Sequence, residues 1–469
     1  MYTSLRGSIS VAAPPARALL DPSLIRSYPP FMPTSQSASS LSESRSSALA
    51  PERAPAARPR GEPALIAFVH RGHDWITGAE QCLLDLVGRL DPARFRSVIL
   101  CNAPSVARAA ERLGVPAHLY PDWKQATDRR ASYARIRELL QEVGPSLIHV
   151  NMTTPLPGVL PFARRQRIPL VAHLHMPLDS RFDRLHEWIH QADMAVGVAK
   201  HVVRPLYEDG MPVRRLRTIY NAVDAERIEV GDATNLRAGL GIPESAFVAL
   251  SVGSLIRRKA HDVSIRAVAL ARARGADVHL LVCGTGSDKE EGVIRALVAD
   301  LGLADVVHFL GYRPDVGAIA RDAADVLAAS ARAEALPLNV LEAQWVGLPV
   351  VASDIPAHHE AITPGRTGLI VPLADPEALA GTLVDLAADR ARLASLGELG
   401  RAFAREHFSM ERYVGDFETV YSHLLGRPRR HYGWIGGTTW PKSYAAWAWN
   451  ALNVRVGLRK PAPLAGSPT

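Results

Sequence analysis

Short β-prone apolar runs recur between residues 65 and 372, and between them the hydrophobic period changes to that of a helix. The runs fall at 65–70, 97–102, 147–151, 170–175, 194–198 and 217–221, then at 247–253, 278–284, 306–311, 326–330, 349–353 and 368–372. Continuous apolar strands lack the alternation of a half-exposed sheet, so both of their faces must be covered. The intervening segments supply the cover: after Gly78, the residues Ala79, Cys82, Leu83, Leu86, Val87 and Leu90 share one helical face. Two sets of six strands, each alternating with helices, predict an α/β architecture of two doubly wound parallel sheets meeting across a cleft. Ligands of such sheets bind beyond the carboxyl ends of the strands. That points first to the polar residues ending these runs: His70, Asn151, His175, Asn221, Ser330 and Ser353.

Charge narrows the possible partners. Of the 469 residues, the last 43 carry seven Arg or Lys and no acid, and they equal the whole formal charge of +7. Residues 64–426 hold 40 basic and 43 acidic residues, so the folded body is slightly acidic. A nucleic-acid reader places its positive charge on the fold itself, and no nucleic-acid partner is expected. The three cysteines, Cys82, Cys101 and Cys283, are too few and too far apart for a disulfide framework. No apolar run approaches the roughly 20 residues that span a bilayer, and the first residues lack a secretory pattern. A cytoplasmic location is the expectation. Residues 1–63, with 10 Pro and 13 Ser, read as a disordered extension. The first domain is expected over 64–225, the second over 226–409 and a terminal helix over 410–426.

The densest chemistry lies in Glu334-Ala-Leu-Pro-Leu-Asn-Val-Leu-Glu342. A carboxylate in the loop after a strand is followed by Pro337, which suits the first turn of a helix. The free amides of Leu338, Asn339 and Val340 are then expected to form an anion site fit for a diphosphate. Glu342, further along the same helix, is placed to accept hydrogen bonds from ribose hydroxyls, and Glu334 faces whatever lies beyond the phosphate.

Glu334 and Glu342 resemble the E-x7-E arrangement of retaining glycosyltransferases with the GT-B fold, most closely family 4, and the likeness extends over about 64–425. Thr77-Gly78-Ala79-Glu80 is similar to the family's Gly-Gly-Ala-Glu turn, near the acceptor and the donor phosphate, with Thr77 in place of the first Gly. Gly253-Ser-Leu-Ile-Arg-Arg-Lys259 resembles the Gly-Arg-Leu-x-x-x-Lys-Gly that neutralises the donor diphosphate. Lys259 keeps its place, Ser254 and Ala260 replace the Arg and the final Gly, and either Arg257 or Arg258 supplies the missing charge. His175 matches a post-strand histidine near the transferred sugar, and His173 alternates with it on the same strand. Asn221-Ala-Val-Asp224 and Thr367-Gly-Leu-Ile-Val-Pro372 resemble architectural turns of the family. Gly284-Thr-Gly286 has Lys289 where a dinucleotide fingerprint needs its third Gly, and it is expected to let a loop pass close to the donor.

The resemblance implies two Rossmann-like domains and transfer of a hexosyl unit, with retention, from a nucleotide-diphosphate sugar to a hydroxyl of a glycan or lipid-linked acceptor. Glu334 and His175 are the catalytic candidates. Gly253, Ser254, Arg258, Lys259, Leu338, Asn339, Val340 and Glu342 are expected at the donor, and Thr77 and Gly78 at the acceptor and phosphate loop. No cofactor and no essential metal are expected, and no Asp-x-Asp occurs. A GT-B sugar-nucleotide 2-epimerase and a non-catalytic nucleotide-sugar binder are the alternative readings. The segment 427–469 combines seven cations with Trp434, Trp440, Trp447 and Trp449. Such a pairing suits either an anionic lipid surface or a fold-back onto the enzyme.

Overall fold

The computed structural model describes residues 62–122, 129–177 and 185–427. The extension 1–61 and the tail 428–469, with the expectations placed on them, lie outside the described residues. The N-terminal lobe is built on strands β1 (Ala64–His70), β2 (Phe95–Cys101), β3 (Ala117–Leu119), β4 (Leu147–Asn151), β5 (Leu170–Leu174), β6 (Met194–Gly197) and β7 (Leu216–Thr218). They form one parallel sheet in the order β3-β2-β1-β4-β5-β6-β7. The second lobe contains β8 (Phe247–Val252), β9 (Val278–Cys283), β10 (Val307–Gly311), β11 (Val326–Ala329), β12 (Val350–Ser353) and β13 (Leu369–Val371), ordered β10-β9-β8-β11-β12-β13 and parallel throughout.

The first sheet thus has seven strands, one more than the hydrophobic pattern predicts. The addition is β3, a three-residue edge strand whose side chains are mostly exposed, so it leaves no apolar run to read. Strand β7 stops at Thr218, which moves Asn221 off a strand end and into the connection between lobes.

Both sheets reverse their winding beside the first strand, between β1 and β4 and between β8 and β11. A crevice opens at such a reversal because the flanking helices depart to opposite faces. His70 and Asn151 stand in register across the first reversal. The Gly253 loop and Ser330 follow the two strands of the second. The winding order alone therefore sets two polar strand ends against each other in each lobe.

The lobes are joined twice, side by side. The connection after β7 runs next to the return segment near Phe408: Val223 donates its amide to the Phe408 carbonyl at 2.9 Å. Arg412 holds the Tyr220 carbonyl at 2.6 Å. The Met410–Leu425 helix, opened by the Ser409 cap, then packs on the N-terminal lobe. Tyr413, Phe417, Tyr421 and Leu424 join Phe68, Leu83, Leu86 and Phe95 in one apolar cluster. At about 1.5–3 kcal/mol for each large apolar side chain buried, this last helix is a structural part of the first lobe. Its Tyr421 hydroxyl reaches His149 Nδ1 at 2.7 Å, and His149 Nε2 meets His173 Nδ1 at 3.2 Å. These polar groups, enclosed between sheet and helix, find their partners in one another.

Two outcomes follow from this packing. Tyr421→Phe leaves His149 Nδ1 buried without a partner and is expected to destabilise the protein by about 1–2 kcal/mol; a denaturant midpoint equal to wild type would contradict the role of that bond. Burial, reinforced by neighbouring imidazoles, pushes His149 and His175 down to about 3 and His173 well below the ordinary value of 6.5. Unfolded, these rings take up protons near pH 6.5; folded, they stay neutral to much lower pH. The unfolded state binds more protons throughout that window, so stability falls as pH drops below 6.5. A thermal midpoint that stays constant from pH 7 to pH 4.5 would contradict this.

Candidate active site

The donor-side loop follows β8 through Gly253, whose φ of +144° suits glycine. The exposed Ser254 comes next, and residues Arg257–Lys259 form a single 3-10 turn. His261 fastens the loop from below. Its Nε2 lies 3.1 and 3.2 Å from the carbonyls of Gly253 and Ser254, so that nitrogen donates, and Nδ1 accepts from the Ser251 hydroxyl at 2.9 Å. Burial lowers the His261 ring to about 4, which keeps this neutral tautomer. Ala260 is left-handed, with φ +58°, a conformation in which a Cβ costs roughly 1–2 kcal/mol. The family's Gly at this position therefore has a backbone reason, which Ala260 meets at a cost.

Gly284 and Gly286 have a packing role that the spacing alone did not reveal. A Cβ on Gly284 would lie 1.9 Å from the Gly253 carbonyl oxygen, and one on Gly286 would lie 3.0 Å from the Leu255 Cβ. The glycines let the loop after β9 pack backbone to backbone on the loop after β8.

Lys259 Nζ and Arg258 Nη1 each lie 2.7 Å from a different oxygen of Glu334. Burial alone pushes the Glu334 carboxyl up, but Lys259 and then Arg258 pull it below its ordinary value, so it stays ionised. Arg258 also bonds the Ala333 carbonyl at 3.0 Å. Arg257 points to solvent, and its carbonyl accepts from Arg332, which is clamped on Asp262. Of the two arginines left open by the sequence, Arg258 joins Lys259.

The Leu338–Val346 helix begins beside this triad, with Pro337 as its cap residue and not inside its first turn. One expected donor is already used: the Val340 amide bonds Asn339 Oδ1 at 3.0 Å and the Pro337 carbonyl at 3.1 Å. Asn339 turns its Nδ2 to the Val252 carbonyl at 3.0 Å, bracing the helix on the end of β8. The amides of Leu338 and Asn339 carry no backbone hydrogen bond among the described residues and are the donors that the helix start retains. Glu342 meets Arg227 Nη2 at 3.4 Å. Burial raises its carboxyl, and Arg227 opposes that. Arg227 belongs to the connection between lobes and also faces Asp85 and Asp224, a set that the sequence reading did not assemble.

On the opposite side, Thr77 caps the Gly78–Val87 helix in a reciprocal pair with Glu80. Glu80 Oε2 takes the Thr77 amide at 3.0 Å, and Oε1 meets His70 Nε2 at 3.0 Å. Burial works to raise Glu80, but the His70 and Thr77 bonds bring it down to about 2. Gly72 leaves room for this pair; a Cβ there would stand 2.2 Å from Glu80 Oε1. Asn151 continues the chain, donating Nδ2 to His70 Nδ1 at 3.0 Å and accepting from His175 Nε2 at 2.8 Å. The His175 proton therefore sits on Nε2, and Nδ1 is an acceptor. His173 stacks obliquely on His175 with centroids 4.0 Å apart, but its own bond runs inward to His149.

The two sides meet at Gly78, where a Cβ would come 3.4 Å from Leu338 Cδ1. They also meet at Glu360 of the second lobe, which accepts the amides of Lys200 and His201 at 2.6 and 2.8 Å and faces His201 Nδ1 at 2.7 Å. His201 Nε2 lies 3.3 Å from the Glu334 carbonyl oxygen. No motif flagged His201 or Glu360, because neither has a nearby partner in the chain. His70 and Asn151 were visible only as polar strand ends.

Comparison with known proteins places the chain in a family. Residues 76–227 match the family described as Glycosyltransferase Family 4, and residues 232–403 match Glycosyl transferases group 1. The chain is 26% identical over 302 residues to an N-acetyl-alpha-D-glucosaminyl L-malate synthase of Bacillus anthracis, covering 62% of this chain and 78% of that one. It is 35% identical over 231 residues to a D-inositol 3-phosphate glycosyltransferase of Streptomyces avermitilis, covering 46% of this chain and about half of the relative, 48%. The crystal structure of Anabaena HepE in complex with UDP-glucose shares the fold with a TM-score of 0.69 at 22% identity, over 77% of this chain and 100% of that one. With one family match on each lobe and the same two-sheet architecture in solved glycosyltransferases, the chain belongs to glycosyltransferase family 4 and has the GT-B fold.

Proposed function

We propose that this glycosyltransferase moves a hexosyl unit from a nucleoside-diphosphate sugar to an acceptor hydroxyl with retention of configuration. The observation that carries the reading is the Arg258–Glu334–Lys259 triad at the start of the Leu338–Val346 helix, opposite Thr77 and Gly78. Two cations share one carboxylate, so a positive surplus faces the cleft. A diphosphate matches that surplus together with the Leu338 and Asn339 amides. As it binds, Lys259 and Arg258 turn to the phosphates and Glu334 is released toward the sugar. Glu342, paired with Arg227, is the proposed acceptor for the ribose hydroxyls.

In the transfer step the anomeric carbon–phosphate oxygen bond breaks while the bond to the acceptor oxygen forms on the same face. The acceptor proton passes to the departing phosphate oxygen, and no protein nucleophile takes part. Lys259, Arg258 and the amides carry the developing charge without a divalent cation. His175 is kept neutral by burial and oriented by Asn151, so its Nδ1 would accept a hydrogen bond from a sugar hydroxyl without adding charge.

The acceptor side has an aromatic platform. The Trp75 indole, 56% exposed, stacks on His73 with centroids 4.5 Å apart and planes within 5°. Its loop is held by the paired Gly72–Asn102 bonds and by Asp74 on the Ser105 amide. A rigid indole face two residues before Thr77 fits the C–H face of a sugar ring, which favours a glycan acceptor.

Opposite outcomes separate Glu334 from Lys259 within the triad. Glu334→Gln is expected to lower kcat by about 10²–10³-fold while holding or tightening nucleoside-diphosphate binding, because the internal competitor for Lys259 is gone. Lys259→Ala is expected to weaken that binding at least about tenfold. Thermal shifts with UDP-, GDP- and ADP-sugars and the anomer of the product read these effects. Turnover near wild type in Glu334→Gln, or an inverted product, would refute the mechanism. Isomerised donor without acceptor would select an epimerase, and binding without turnover across acceptors would select a binding protein. Trp75→Ala is expected to raise the acceptor KM several-fold with donor binding unchanged; an unchanged KM would remove the platform.

A further inference from the structure

The N-terminal lobe carries a second group of convergent side chains on the side away from the cleft. The Leu185–Ile189 helix precedes β6, and the Lys200–Glu208 helix follows it. His186 and His190 are one helical turn apart, so their imidazoles project to the same side, with ring centroids 4.9 Å apart. Asp209, which ends the Lys200–Glu208 helix, comes to meet them: its Oδ2 lies 3.0 Å from His186 Nε2. One ligand atom from each of His186, His190 and Asp209 lies within 4.8 Å of the others. The Asp209 side chain is only 8% exposed. Among the described residues the buried His190 Nε2 makes no hydrogen bond, and Asp209 Oδ2 has only its contact with His186. Buried polar atoms are rarely left so.

The backbone around the three residues is fixed independently of them. Arg215 grips the His190 carbonyl at 2.6 Å and also the Ala192 carbonyl. The Asp209 amide closes on Pro205 O at 3.0 Å. Because β6 starts just after His190 and the Lys200–Glu208 helix starts at the carboxyl end of β6, the cluster lies at the amino edge of the sheet.

We propose that His186, His190 and Asp209 form a zinc site, with water as the fourth ligand. Two imidazoles and one carboxylate are the donor set that Zn²⁺ accepts in tetrahedral geometry, whereas Ca²⁺ and Mg²⁺ require more oxygens. The site is structural. It staples the Leu185–Ile189 helix to the far end of the helix whose near end, at Lys200 and His201, docks on Glu360 of the second lobe. It lies apart from the sugar-transfer site and does not depend on the proposed reaction.

The test uses the untagged full-length protein. Metal analysis after equilibrium dialysis against Zn²⁺ is expected to find about one zinc per chain, and adding Zn²⁺ to chelator-treated protein is expected to raise Tm by several degrees. Co²⁺ should give the visible absorption of a four-coordinate site with nitrogen and oxygen ligands. Asp209→Asn and His190→Ala are each expected to lose at least nine-tenths of the zinc and the Tm response while still binding the nucleotide sugar that wild type binds. A wild-type chain that takes up no zinc, or variants that retain wild-type stoichiometry, would overturn the proposal. The wild-type titration decides the matter even if a variant fails to fold.

Discussion

The Glu334 carboxylate, held between Lys259 and Arg258, is the interaction around which the second lobe is arranged. An acid as buried as Glu334 stays ionised only if cations are delivered to it at hydrogen-bond distance, and here both are delivered by one short turn. That turn needs the Gly253 loop to approach β9, which needs Gly284 to have no side chain. It also needs His261 to hold the loop carbonyls from below and Ala260 to accept a left-handed backbone. Asn339 then ties the helix start to the end of β8. The strain and the close packing of this region are the local cost of delivering two cations to one buried carboxylate.

The N-terminal lobe solves a different problem. Its strand ends carry His70, His149, Asn151, His173 and His175, all buried, and the surroundings favour neutral rings at three of them. Glu80 anchors the chain of bonds as its one anion, and the asparagine fixes the tautomers on either side of it. The paired cations of the site thus stand in one lobe, and the other supplies oriented hydrogen-bonding groups, three of them neutral imidazoles.

Much of this was legible in the chain because the relevant signals are local. The buried parallel strands appear as unbroken apolar runs, the Met410–Leu425 helix as a clean period, and Glu334, Glu342 and Lys259 as spacings within two short segments. What escaped depends on distance in sequence. The β3 strand is too short and too wet to leave a pattern. The Val340 amide was counted as free because the side chain of the preceding Asn339 cannot be aimed from sequence. The His201–Glu360 contact joins residues 159 apart, and the pairing of Arg227 with Glu342 spans 115. The choice between Arg257 and Arg258 turned on one residue of helical phase in a single turn.

The terminal helix has a consequence for how the chain comes into being. Phe68, Leu83, Leu86 and Phe95 are made early in synthesis, yet Phe417 and Tyr421, which cover them, are made more than three hundred residues later. A ribosome releases the lobes in order, but the first cannot close its apolar face until the second has emerged. Through that interval the nascent chain presents an uncovered, sticky sheet face, the sort of surface that draws chaperones and aggregates when they are scarce.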